Sequence, residues 1–353
     1  AAREALAGWL REGIEQIDPV VQALRSQKAD EESIKILGNA LANQGLLYFR
    51  KGQFNQAHAA WEESLAILRP IADADLLMVP LIYNGILAHL FGDIDKAQGL
   101  IEEGLACARA AGDEWFEAYA LYNQGYIASL TGHYTEGYEQ MLAGLARWRA
   151  FGDPSSIALG LNYISTTAIK LGYVDQAQAY LQESLLLCTE VGDRWGLGTA
   201  YRNLGLTALA KGNPVEAQSL IRKSLDIFGE YIVGWDIARS LTYLGDALLM
   251  MGDPTKAEGI YLEALRVAIE VRSIPVALDA VVGLARLLLQ NGQVEQAFEL
   301  LYFVQNHPAG IQNTRENAGQ IILDAISQLD TSCIGAIEER AKRISLETLA
   351  HSF

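Results

Sequence analysis

The sequence of 353 residues predicts an all-α solenoid of tandem helix-turn-helix units, and three observations carry that prediction. Seven glycines, Gly52, Gly92, Gly132, Gly172, Gly212, Gly252 and Gly292, each follow the last by 40 residues. A small residue stands five places after each: Ala57, Ala97, Gly137, Ala177, Ala217, Ala257 and Ala297. Thirteen places after the first six glycines stand Leu65, Leu105, Leu145, Leu185, Leu225 and Leu265. Copies of one supersecondary unit cannot bury their apolar faces singly, so they stack into one array.

In chain order, residues 1–32 carry two shorter helical stretches separated near Asp18-Pro19 and out of register with the repeats, which reads as a degenerate N-terminal repeat or cap. Seven repeats occupy 33–306. In the fifth, Leu197, Tyr201, Leu204 and Ala208 fall at the three-and-four spacing of one helical face, helix A. Gly212 closes it in the left-handed conformation that glycine adopts without a side-chain penalty. Asn213, Pro214 and Glu216 then read as cap, first position and capping-box residue of helix B. Its stripe is Ala217, Leu220, Ile221, Ser224, Leu225 and Phe228. Gly45, Gly85, Gly125, Gly205 and Gly245 sit seven places before the turn glycines, inside helix A, where glycine costs about 1 kcal/mol relative to alanine. A close crossing of helices A and B offsets that cost, and Ser165 and Ala285 are the small substitutes in the remaining copies. Residues 307–353 lose the glycine signature, break at His307-Pro308 and resume as two amphipathic helices, around Ala318 to Leu329 and Ile334 to Leu349. They read as the capping element that covers the last apolar face.

Composition narrows the function. A formal net charge of −16 opposes nucleic-acid binding by this segment, because such affinity rests on Lys and Arg displacing counterions. No apolar run reaches the roughly 18 residues needed to span a membrane, so no membrane association is expected. Cys107, Cys188 and Cys333 hold unequal places in their repeats, which suits small apolar sites in a reducing, cytosolic setting. The start, AAREALAGWL, lacks both Met and a signal-peptide pattern and suggests a piece of something longer. No GxxxxGK[ST], HExxH or CxxC occurs, and the five histidines hold unrelated repeat positions. No catalytic residue, metal or cofactor is therefore expected.

Asn203-Leu204-Gly205, the small Ala208, the turn glycine and Ala217 match the helix-turn-helix signature of tetratricopeptide repeats, and the chain resembles such an array over residues 33 to 306. The 40-residue unit with its Gly112-Asp113, Gly152-Asp153 and Gly192-Asp193 turns resembles the arrays of MalT-like bacterial regulators and, more distantly, kinesin-light-chain scaffolds. The segment from Ala280 through LARLLLQNGQVEQAFELLYFVQNHPAGIQNTRE resembles the C-terminal sensor of bacterial signal-transduction ATPases. The resemblance implies a right-handed superhelix with helix A lining a concave groove, and no enzymatic activity in this segment. Any NTPase or transcription-regulator module would be an attached domain.

Groove positions follow by aligning the copies at thirteen, ten, nine and six places before each turn glycine. In repeats three to six these hold Tyr119, Tyr122, Asn123, Tyr126, Asn162, Tyr163, Thr166, Arg202, Asn203, Arg239, Tyr243 and Asp246, the candidate ligand-binding residues. Arg202 and Arg239 would grip an anionic or hydroxyl-rich group, the asparagines would fix orientation, and the tyrosines would stack on apolar faces. For Tyr83, Tyr163 and Tyr243, which alternate with Asn, packing between helices is an equal reading. Trp115, Trp195 and Trp235 share one place near the start of helix A and read as packing residues. The expected function is a sensor for a small molecule or short peptide. The alternative is a constitutive scaffold for a protein partner.

Overall fold

The computed structural model describes residues 2–26, 30–229 and 234–352; residue 1 and residues 27–29 of the expected N-terminal cap lie outside the described residues. Among the described residues the chain is all-α, with no strand. Helix α1 spans Ala2–Arg25. Seven hairpins follow: α2 (Glu31–Arg50) with α3 (Phe54–Leu68), α4 (Ala74–Phe91) with α5 (Ile94–Ala111), α6 (Glu114–Leu130) with α7 (Tyr134–Phe151), and α8 (Pro154–Lys170) with α9 (Val174–Val191). Then come α10 (Arg194–Ala210) with α11 (Pro214–Gly229), α12 (Gly234–Met250) with α13 (Pro254–Glu270), and α14 (Ile274–Gln290) with α15 (Val294–Asn306). The chain ends with α16 (Gln312–Ala325), two 3-10 turns, α17 (Ile334–Ala341) and α18 (Leu346–Ser352). It divides into two compact units, one of Ala1–His89, Asp93–Ile127 and Glu139–Gly152, the other of Leu90–Gly92, Ala128–Tyr138 and Asp153–Phe353.

Each hairpin turn repeats one set of hydrogen bonds. In the fifth, Gly212 N–H donates to the Leu209 carbonyl at 2.9 Å and Asn213 N–H to the Ala208 carbonyl at 2.9 Å, while the Asn213 carbonyl accepts from Ala217 N–H at 3.0 Å to begin helix B. The glycine stands at φ +75°, the left-handed conformation that this closure requires. The turns from helix B back to helix A need the same conformation. Gly112, Gly152 and Gly192 supply it at φ +72°, +67° and +72°, but the equivalent places one and two repeats away hold Ala72 at φ 56° and Arg272 at φ 57°. Asp93, Asp153, Asp193 and Asp253 cap the helices that follow them, accepting from Lys96, Ser155, Gly196 and Lys256 N–H.

The glycines inside helix A face a neighbouring side chain. A Cβ on Gly205 would lie 2.5 Å from Ile221 Cγ1, and one on Gly245 would lie 2.5 Å from Tyr261 Cε1. Tyr261 is fully buried in one hydrophobic core with Leu241, Leu244, Val281 and Leu284. Close approach therefore offsets the helix-propensity cost of these glycines.

Two termini differ from the sequence reading. Helix α1 runs unbroken through Pro19. Ile14 and Val21 are buried on its one face, and the Asp18 carboxylate accepts from Gln44 Nε2 at 2.7 Å and Tyr48 Oη at 3.0 Å, so packing on α2 outweighs the proline. The last expected helix is divided into α17 and α18 across 342–345, each half burying its own apolar residues, Ile337 and Ala341 in one, Leu346, Leu349 and Ala350 in the other. Helix α4 departs from the expectation that no apolar run reaches 18 residues: its 18 residues have mean hydropathy 1.5, long and apolar enough to cross a membrane by composition, and 56% of that window is buried inside the protein.

Left-handed backbone at a residue with a side chain costs about 1–2 kcal/mol. Ala72→Gly is therefore expected to raise stability by about 0.5–1 kcal/mol after the added freedom of the unfolded chain is subtracted. A urea titration showing lower stability would contradict the assignment of strain at this turn.

Candidate functional site

In the second unit, helix A of repeats four to seven (α8, α10, α12, α14) presents two rows with different surroundings. Ten places before the turn glycine, Asn162, Arg202, Thr242 and Val282 are all buried. At nine and six places before, Tyr163, Thr166, Tyr243, Asp246 and Arg286 are half-buried and meet solvent, whereas Asn203, nine before Gly212, is buried and joins the first group.

The buried row is a polar framework. Asn162 donates through Nδ2 to the Gly196 carbonyl at 3.1 Å and accepts at Oδ1 from Ser184 Oγ at 2.9 Å. Its own carbonyl accepts from Asn203 Nδ2 at 2.6 Å, joining α8 to α10. Arg202 Nε donates to Asn203 Oδ1 at 3.3 Å, and its Nη1 pairs with the Asp236 carboxylate in the first turn of α12. Trp195 Nε1 donates to the other Asp236 oxygen at 2.8 Å. The Arg202 guanidinium lies 5.7 Å from the Phe228 ring and 5.8 Å from the Trp235 ring. Burial pushes the Asp236 carboxyl above the usual carboxylate range, against the pull of Arg202 beside it. Arg202 was expected to present its charge to a ligand; at 2% exposure, with its charge met by Asp236, it instead ties the fifth repeat to the sixth.

The solvent-facing row carries separate ionic groups. Arg239 is half-buried with its guanidinium 5.6 Å from the Trp235 ring. Asp246 Oδ1 accepts from Tyr261 Oη at 2.7 Å and Arg286 Nη1 at 3.1 Å, and Arg286 Nη2 donates to Asn317 Oδ1 at 2.7 Å. Asp279 accepts from Thr314 Oγ1 at 2.5 Å, and Glu316 from Tyr134 Oη at 2.8 Å. Burial raises the carboxyl pKa of both Asp246 and Asp279. The Lys170 side chain, exposed at the end of α8, lies within electrostatic reach of the carboxylates of Asp279, Glu316 and Asp246. Thr166 Oγ1 is turned inward, donating to the Tyr163 carbonyl at 2.8 Å, and the Tyr163 and Trp195 rings lie 6.5 Å apart.

The candidate residues of repeat three lie in the first unit. Tyr119, Tyr122 and Tyr126 are buried. The Tyr122 ring packs 5.0 Å from Trp148, Tyr119 lies 5.3 Å from Trp115 and 5.6 Å from Tyr83, and Tyr126 meets His89 edge-on at 5.4 Å. Asn123 donates to the Tyr119 carbonyl at 2.7 Å. These tyrosines were expected to stack on the apolar faces of a ligand, yet aromatic neighbours inside the protein pack on all three rings. Alignment of the repeats also passed over Lys170, Asp279, Arg286 and the α16 residues Glu316 and Asn317. A charged residue six or thirteen places before the turn glycine was a usable signal for Arg286 and Asp279. Helix α16 lies beyond the repeats, so no alignment could find its members. Among the described residues no group of three or more His, Cys, Asp or Glu is arranged to hold a metal.

Family models of the tetratricopeptide repeat match residues 156–230 and 242–310. No curated protein sequence matches the chain. Among solved structures it is similar to a Rap protein complexed with competence and sporulation factor, at TM-score 0.71 and 12% identity over 99% of both chains. It is also similar to NprR in complex with its cognate peptide NprX, at TM-score 0.59 and 13% identity over 86% of this chain and 88% of that one. The apo form of RapI aligns at TM-score 0.59 and 14% identity over 76% of this chain and 93% of that one. At these identities the likeness is one of fold, an all-α solenoid of the tetratricopeptide-repeat kind, and the two matched segments place such repeats at 156–230 and 242–310.

Breaking a buried ion pair by removing one partner costs about 3–5 kcal/mol, whereas replacing both with apolar groups is often neutral. Arg202→Met is accordingly expected to lower the urea midpoint sharply, and adding Asp236→Leu to restore much of it. A single variant as stable as the parent would remove the framework role assigned to this pair.

Proposed function

We propose that this tetratricopeptide-repeat array is a sensor whose helix-A face in the second unit binds a short peptide and whose bound state regulates an output module. The observation that carries the reading is the division of helix A into a buried polar framework and an outer surface that carries both signs of charge: Lys170, Arg239 and Arg286 with Asp246 and Asp279. A peptide offers both signs of charge and a backbone of donors and acceptors, and a mixed-sign surface on rigid supports suits it better than it suits a neutral metabolite. The peptide complexes among proteins of similar fold support the same choice. Within the residues expected from sequence, Tyr163, Arg239, Tyr243 and Asp246 are the proposed contacts in this unit, and Asn162, Asn203 and Arg202 hold them in place.

The output would be a separate protein or an attached NTPase domain, and a coupling of about 1–3 kcal/mol suffices to bias either. The scaffold alternative predicts use of surfaces in both units by a folded partner.

Synthetic peptide pools and metabolite sets screened by thermal shift on the full chain are the test, since a ligand at 100 times its Kd adds about 2.7 kcal/mol. Arg239→Ala and Asp246→Asn are each expected to weaken the peptide found by about 1–3 kcal/mol, the range of a charge-assisted hydrogen bond, with helix content unchanged. Stabilisation by folded proteins alone, or normal peptide binding by both variants, would overturn the reading.

A further inference from the structure

A second candidate lies at the turn that joins α8 to α9, and comparison of the seven copies singles it out. One place after the turn glycine the other repeats carry polar residues: Gln53, Asp93, His133, Asn213, Asp253 and Gln293. At that place Asp93 and Asp253 cap helix B, while Gln53 and Gln293 make no side-chain cap. The fourth repeat has the aromatic Tyr173, which makes no cap and is 52% exposed. An exposed aromatic side chain where the other copies are polar is unfavourable for the fold. Its surroundings supply a use. The Tyr138 ring stands 5.8 Å from the Tyr173 ring with the planes at 60°, so the two form a corner. Tyr138 Oη and Tyr180 Oη lie 3.0 Å apart and fix each other's rings. Together with Val174, Asp175 and Gln176 they line an open cleft of about 470 Å³, within the size range of small-molecule sites. The Asp175 side chain is 95% exposed and is met by the Lys211 ammonium at 2.6 Å.

Three phenol rings and one carboxylate around a cleft select ligand chemistry by charge. Ring faces carry the negative part of the aromatic quadrupole and attract cations, most effectively cations whose alkyl groups make them weakly hydrated. Anions meet the ring faces, Asp175 and a chain of net charge −16. We infer that this cleft binds an alkylammonium group, with Tyr138 and Tyr173 as walls and Asp175 as counter-charge. Lys211 already occupies that carboxylate and so competes with the ligand. The site is separate from the helix-A surface and does not rest on the peptide reading.

The probes are choline and tetramethylammonium, with 3,3-dimethylbutanol as the uncharged isostere of choline, each titrated into the full chain and followed by ligand-observed NMR. Both cations are expected to saturate, with the alcohol about tenfold weaker, as expected for a partly desolvated cation–π site. Tyr173→Ala and Tyr138→Ala should each reduce choline affinity about tenfold, while Tyr138→Phe, which keeps the ring, should retain it. Asp175→Asn should weaken binding and Lys211→Ala strengthen it. Circular dichroism verifies that each variant is folded. Failure of both cations to saturate, equal binding of the alcohol, or choline binding unchanged in both tyrosine-to-alanine variants would overturn the inference.

Discussion

The close crossing of helices A and B within each repeat is the constraint on which the rest of the structure depends. It requires a left-handed residue at the turn, met by glycine at a 40-residue interval, and a missing side chain within helix A, met where Gly205 faces Ile221 and Gly245 faces Tyr261. Neither feature serves a helix in isolation, since each interior glycine costs about 1 kcal/mol of propensity. They are offset only because packed neighbours enclose the crossing. Enclosure then dictates what the adjacent positions hold: polar groups there must find partners inside the protein.

The framework of the second unit is the response to that demand. Asn162, Asn203, Arg202 and Asp236 satisfy one another and backbone carbonyls across α8, α10 and α12. An apolar set of the same volume could be as stable, because two charges removed from water cost nearly what their attraction returns. What the polar set adds is direction: each bond fixes the rotation of one helix A against the next. The outer row inherits that fixed rotation, so Arg239, Asp246 and Arg286 stand on supports that a ligand need not reorganise. Preorganisation of this kind raises affinity by lowering the ordering that binding demands.

Periodicity made the hairpins and their turns legible, because the same physical requirement recurs every 40 residues and each copy testifies for the others. Orientation was harder. Positions ten and nine before the turn glycine differ by one residue, a rotation of about 100° about the helix axis, and that step separates buried Asn162 from half-buried Tyr163 and buried Thr242 from half-buried Tyr243, but leaves both Arg202 and Asn203 buried. Alignment places both positions on the groove side, and only the partner Asp236, 34 residues on, turns Arg202 inward. The repeat-three tyrosines misled for a related reason: Trp148 on helix B, itself fully buried, claims Tyr122, and no local pattern announces that contact. Helix α1 continues through Pro19 because Asp18 reaches two partners on α2, a non-local gain that propensity cannot register.

The account rests on the separation of helix A into an enclosed row and a solvent-facing row, and carboxyl labelling of the native protein tests it most directly. Carbodiimide coupling to glycine ethyl ester, read by peptide mass spectrometry, compares Asp236, fully buried, with Asp246, whose side chain is 26% exposed. The structure requires Asp246 to label in the folded protein and Asp236 to stay unmodified until the chain unfolds. Equal labelling of the two, or labelling of Asp236 first, would contradict it.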